Sequence, residues 1–189
     1  MLLEALKLII SALVPLVVVL VGWGLSKRLK ALEQAHWANQ KLIERRLQLF
    51  DDIMPRLNDT YCFYNFVGNW KEITPADVVS AKRYLDKKVH VYAPLLGQPF
   101  LAAYEDFGRV AFETYGGTGA DARLRTVVAG YDGDRRVHCK YSWDTKWDAL
   151  FPTPATYDKT AFQERYQAVE AAFQQAIGIT GRSGLRAAA

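Results

Sequence analysis

Arg83 and His90 are the pair in this 189-residue chain whose types and spacing best suggest chemistry. They enclose six residues in the run Arg83-Tyr84-Leu85-Asp86-Lys87-Lys88-Val89-His90. Seven positions is close to two helical turns, so on a helix both side chains fall on one face. A guanidinium grips a phosphodiester through paired N–H bonds, and an imidazole carries a proton near neutral pH. Side by side they would suit metal-independent RNA cleavage. The plainer reading is two exposed residues on a solvated helix face. Lys82, Lys87 and Lys88 around them suit the same solvated face, or contact with lipid headgroups or RNA. A second basic cluster, Arg123, Arg125, Arg135 and Arg136, has Trp143 nearby in sequence.

Other signatures are absent. The run GGTG at 116–119 follows a helical pattern and has no Lys-Ser/Thr after it, so it is a helix-ending loop and not a phosphate cradle. GRSG at 181–184 has no strand–turn–helix around it. His36, His90, His138, Cys62 and Cys139 show no metal-ligand spacing, and Asp132 and Asp134 are too few for a calcium loop. No cofactor and no metal are expected. The two cysteines read as small core residues.

The elements that must position Arg83 and His90 are helical. Thr74, Pro75 and Asp77 form a helix start, and Val78, Ala81, Leu85, Val89 and Tyr92 carry that helix to Pro94. Gln98 and Pro99 open another, with Phe100, Ala103, Phe107, Val110, Ala111 and Thr114 on one face and Gly116, Gly117 and Gly119 ending it. A short helix is expected over 120–130. The aromatic stretch 60–70 reads as helix through Phe66, and 130–157 gives no readable pattern beyond burial of Tyr131, Trp143, Trp147 and Phe151. A final helix runs through Phe162, Tyr166, Val169, Phe173, Ala176 and Ile177 to Gly178, followed by a disordered tail over 179–189. No alternating strand pattern is visible.

Two features precede these helices. Residues 8–25, LIISALVPLVVVLVGWGL, run eighteen positions without a charge. As a helix they cover roughly 27 Å, enough to cross a bilayer's hydrocarbon core. A cleaved signal peptide would carry its basic end first; here Lys27, Arg28 and Lys30 follow the apolar run, and Trp23-Gly24-Leu25-Ser26 is a poor cleavage site. A core helix of this purity would be unusual in so small a protein. The basic cluster after the span places the C-terminal side in the cytoplasm, in the inner membrane of a bacterial cell. Next, one long helix is expected from Ser26 to Leu57. Its stripe of Leu29, Leu32, His36, Ile43, Leu47 and Phe50 is narrow and interrupted by polar residues, as in a seam between copies. Arg46 lies near that seam and would specify register. A formal net charge of +4 and a pI near 9.0 suit an anionic membrane surface without requiring one.

The fold class is therefore all-α: a transmembrane helix over 8–25 and a cytoplasmic helical bundle over 26–178. The span, the Ser26-Lys27-Arg28-Leu29-Lys30 junction and the Ala31–Leu57 helix together resemble the small membrane accessory proteins of type VI-B CRISPR loci, which accompany the RNA-guided Cas13b effector. That resemblance implies a HEPN-like helical domain, assembly into a pore-like homo-oligomer in the lipid bilayer, and a role in antiphage defence beside an RNA-guided effector. Arg83 and His90 also match the R-x4-6-H pattern of HEPN ribonucleases, although they sit in the middle helix and not near the C-terminus. Three function classes follow: a self-associating membrane-perturbing effector, a tethered ribonuclease acting on RNA through Arg83 and His90, and an anchor for a partner protein.

Alkaline phosphatase fused after Ala189 is expected to be inactive, because the basic flank keeps that end inside. An active fusion would reverse the topology.

Overall fold

The computed structural model describes residues 2–114, 119, 121–130, 133–152 and 157–178, without the side chains of 2–12 and 14–16. The chain forms two compact units, Met1–Glu44 and Arg45–Ala189. Helix α1, Leu2–Asn65, contributes to both.

In the first unit α1 is the only element. Its stretch from Ser26 has no glycine and is built mostly from the good helix formers Ala, Leu, Glu, Gln, Lys and Arg. Of the apolar stretch 8–25, the side chains of 8–12 and 14–16 lie outside the described residues. Among the described residues, no helix is long and apolar enough to cross a membrane. Within the described part, Val17 to Val21 is aliphatic and exposed throughout. At its end the Lys27 ammonium lies 4.2 Å from the Trp23 ring centroid.

The second unit begins with the rest of α1. It continues α2 (Pro75–Leu96), α3 (Gln98–Ala111), α4 (Arg135–His138) and α5 (Lys159–Ile177). A 3-10 turn, Thr145–Leu150, precedes α5. Two antiparallel ladders of two-residue strands lie between α3 and α4: β1 (Phe112–Glu113) with β2 (Arg123–Leu124), and β3 (Ala129–Gly130) with β4 (Gly133–Asp134). The short helix expected over 120–130 is absent; Arg123–Leu124 pairs with α3's exit instead, and α3 ends at Ala111, before the glycines. The rest of the domain is mostly helical, with irregular backbone over 67–74 and 139–144.

Two helices run past a proline, α1 as expected and α2 beyond its expected end at Pro94. α1 passes Pro55 to Asn65 and α2 passes Pro94 to Leu96. Each proline removes one intrahelical donor, and tertiary burial on both sides of it holds the helix together: Ile53 and Leu57 flank Pro55, and Val89 and Leu96 flank Pro94. α1 ends because Phe66 turns left-handed, at φ 56°, and the Val67 N–H donates back to the Cys62 carbonyl at 3.1 Å. This is the hydrogen bond of a Schellman cap, with phenylalanine where glycine usually sits.

The core is an aromatic layer between α1, α3 and α5. Tyr64 stacks on Phe162 with centroids 4.5 Å apart and planes 5° from parallel. Phe50 meets Phe173 edge-on at 5.3 Å, and Tyr61 lies 4.6 Å from Tyr166. The Tyr64 hydroxyl donates to the Ala111 carbonyl, joining α1 to the end of α3. Burial pushes the Tyr64 phenol well above its ordinary range, so it stays a donor. Phe162, Tyr166, Val169, Phe173 and Ile177 are the buried face of α5, and Gly178 closes that helix at φ 86°. Cys62 is buried and Cys139 half-buried, both free.

Arg46 joins three helices at one end of this core. Its Nε–H donates to the Leu95 carbonyl at 2.7 Å and an η nitrogen donates to the Ala176 carbonyl at 2.6 Å. Both acceptors lie in last turns, where carbonyls lack intrahelical donors and the helix dipole is negative. Replacing Arg46 with Met keeps the stem and removes both bonds. That variant should lose about 2 kcal/mol of stability, read as a lower denaturation midpoint of the full chain in detergent. Arg46→Lys should recover less than half of the loss, since an ammonium on a single stem lacks the guanidinium's fork.

Candidate functional site

α2 is fixed at its start by a capping box: Thr74 accepts from the Asp77 N–H at 3.1 Å, and Asp77 accepts from the Thr74 N–H at 2.9 Å. This sets the rotation of the helix, and with it the edge carrying Lys82, Asp86 and His90 at four-residue intervals. α3 lies against that edge and contributes Tyr104, Glu105 and Arg109. Together with Thr114 and Ala122 they line a cleft of about 570 Å³.

The polar groups of this cleft are paired with one another. Asp86 accepts from the Tyr104 hydroxyl at 2.7 Å and from the Lys82 ammonium. Burial, and then the Asp86 charge, push the Tyr104 phenol far up, so it remains protonated. The His90 Nδ1–H donates to the Asp86 carbonyl at 2.8 Å. That leaves Nε2 toward the cleft, 4.0 Å from the Glu105 carboxylate. Arg109 is paired with Asp106. His90 can carry a proton here, but each cation of the cleft already has its own carboxylate. The arrangement suits a small polar molecule of balanced charge better than a phosphodiester.

The structure does not bring Arg83 into this cleft. Its guanidinium pairs with Asp121 and lines a separate cavity of about 310 Å³ with Ser80, Lys146 and Trp147. Arg83 and His90 share a helix edge by spacing, yet their side chains serve different clefts. Of the neighbouring lysines, Lys88 binds Asp52 at 3.0 Å and Lys82 binds Asp86. Among the described residues, no group of three His, Cys, Asp or Glu side chains could hold a metal ion.

Leu29, Leu32, His36 and Ile43 of the long-helix stripe are all exposed in the first unit. In the second unit the stripe divides. Leu47 is 41% exposed, whereas Phe50 is half-buried against Phe173. The buried face of α1 there is Leu49, Ile53 and Leu57.

Two constellations were not foreseen. The Tyr84 hydroxyl lies 2.7 Å from both Asp52 carboxylate oxygens, and Arg56 and Lys88 flank the same carboxylate. The second is Arg135, which is fully buried. Its guanidinium sits between the Phe63 and Phe66 rings, 3.9 and 3.8 Å from their centroids. Its Nε–H donates to the Val127 carbonyl at 2.9 Å, and its two terminal nitrogens have no acceptor among the described residues. Burial lowers its pKa to about 10. An arginine in a segment without periodicity gives no sequence signal of such a place; a tyrosine seven positions from Val91 on a helix face gives only a faint one.

No known protein family, curated protein or solved structure matches the chain.

The Tyr84 hydroxyl, followed by Lys88 and Arg56, holds the Asp52 carboxyl below its ordinary value of 3.8. A depressed carboxylate stabilises the fold above the unfolded-state pKa, and the contribution is lost as pH falls through the folded-state pKa. Tyr84→Phe should therefore cost roughly 1 kcal/mol at pH 7, after allowance for partial solvent screening. The gap between variant and parent should narrow as pH falls below 3.8, measured by denaturation at several pH values. A gap independent of pH would mean that Tyr84 acts through packing alone.

Proposed function

We propose that this chain is a membrane-anchored helical effector or accessory protein, held in the bilayer by the stretch 8–25 and acting there through associated copies of itself. The observation that carries this reading is the run Val17–Val21. Five successive helical positions, each about 100° from the last, cover the whole circumference of a helix. All five are aliphatic, with exposures from 46% at Val17 to 68% at Val19. A helix segment apolar on every side and exposed among the described residues calls for an apolar solvent. Lys27 over Trp23, with Arg28 and Lys30 beyond, supports the same reading, since aromatic and basic side chains favour the headgroup layer. The outline resemblance to CRISPR accessory proteins makes antiphage defence the setting. The ribonuclease reading draws no support from two side chains in separate clefts.

The test is membrane fractionation of the full chain expressed in bacteria. The parent should remain in the pellet after alkaline carbonate extraction. Val18→Arg, mid-span, should cost about 2.5–3.5 kcal/mol of insertion and move most of the protein out of the membrane fraction. Arg83→Ala with His90→Ala should leave the distribution unchanged. Release of the parent by carbonate would overturn the anchor.

A further inference from the structure

α1 carries a coiled-coil seam that its own chain closes over only half its length. With Leu29 placed at an a position, His36 and Ile43 follow at a, and Leu25, Leu32 and Asn39 fall at d. All six are exposed. In the same register the sequence continues as Arg46, Phe50, Ile53, Leu57, Thr60 and Tyr64, and every one of these is buried or half-buried in the second unit. The spacing that faces a core after residue 45 is thus exposed, among the described residues, before it.

The flanking residues say what covers the open half. Ser26, Glu33 and Gln40 are its e positions; Arg28, Ala35 and Leu42 are its g positions. Only two of these six are charged, they have opposite sign, and they stand five residues apart. That is the separation at which a g residue meets the e residue of the following heptad across two parallel, in-register helices. An antiparallel partner would set g against g and e against e, and Arg28 would find no carboxylate. The remaining charges, Lys27, Lys30, Lys41 and Glu44, lie on the outer face, where Lys41 pairs with Glu44 of its own helix at 2.7 Å.

We propose that residues 25–43 of α1 pair with the same segment of a second copy of this chain, parallel and in register, with Arg28 of each helix bonded to Glu33 of the other. The inference rests on the membrane-anchored reading for the shared orientation of the two chains, and it adds the partner, the direction and the register. Of the a positions only Ile43 is β-branched, Leu25 and Leu32 stand at d, and the polar His36 and Asn39 fix the register at some expense of stability.

The test is disulfide trapping in the full chain, with Cys62→Ala and Cys139→Ala as background. A cysteine at seam position d, Leu32→Cys, should give covalent dimers under mild oxidation, whereas one on the outer face, Gln34→Cys, should give several-fold less. In the Leu32→Cys chain, Arg28→Glu or Glu33→Arg alone should lower the dimer yield several-fold by setting like charges together, and the double exchange should restore it. Equal trapping at 32 and 34, or a double exchange no better than either single one, would overturn the proposal. Carbonate extraction of the same samples reads the anchor separately. Trapping at 32 in carbonate-soluble protein would leave the pair and remove the anchor; untrapped protein in the pellet would do the reverse.

Discussion

The face of α1 formed by Leu49, Ile53, Leu57 and Tyr64 is the surface on which the second unit is assembled, and its burial is the interaction the domain cannot lose. These residues are at most 3% exposed. Each large aliphatic side chain so buried contributes about 1.5–3 kcal/mol relative to exposure. α5 meets this face through rings, α2 through the Asp52 cluster at its margin, and α3 through the bond from Tyr64 to Ala111. The cleft between α2 and α3 exists because both helices are oriented by this one surface. The prolines in α1 and α2 are tolerated for the same reason: burial on either side of each outweighs a missing backbone bond.

Charge is handled differently in the two units. In the second, most cations near the clefts are matched to a carboxylate: Lys82 to Asp86, Arg83 to Asp121, Lys88 to Asp52, Arg109 to Asp106. A surface so internally neutralised has little left for a polyanion, whatever the net charge of the chain. In the first, Lys27, Arg28 and Lys30 follow directly on an apolar run, so positive charge and lipid-compatible surface are adjacent. Mild overall basicity is therefore a poor guide to partners here, and its placement is a better one.

The helices that announce themselves by capping chemistry were legible. Thr74, Pro75 and Asp77 opened α2, Gln98 and Pro99 opened α3, and the apolar face of α5 ended at Gly178 as read, with all of its residues but Ala176 buried. The strands between α3 and α4 were not, because a two-residue ladder has no period to detect, and Arg123–Leu124 is placed by α3's end, not by its own sequence. The stripe on α1 was read as one surface, although Phe50 turns out to belong to the core and Leu47 stands off it. Sequence spacing gives the face of a helix; whether the chain itself covers that face is decided by elements far away in sequence. The Arg83–His90 pair shows the same limit, since side chains two turns apart on one helix face can be drawn into different clefts by Asp121 and Glu105.

Arg135 imposes an order on how the protein is made. The rings that enclose it, Phe63 and Phe66, lie at the end of α1, and a ribosome releases them together with α2 and α3 well before Arg135 emerges. Until then the left-handed turn at Phe66 lacks the cation that packs against its ring, and the aromatic slot stands open to water. The helices can begin to gather without it, but the end of α1 is sealed only when the late, irregular segment delivers its charge. The nascent chain therefore holds the Phe63 and Phe66 rings without the cation that fills the space between them until residue 135 has been made.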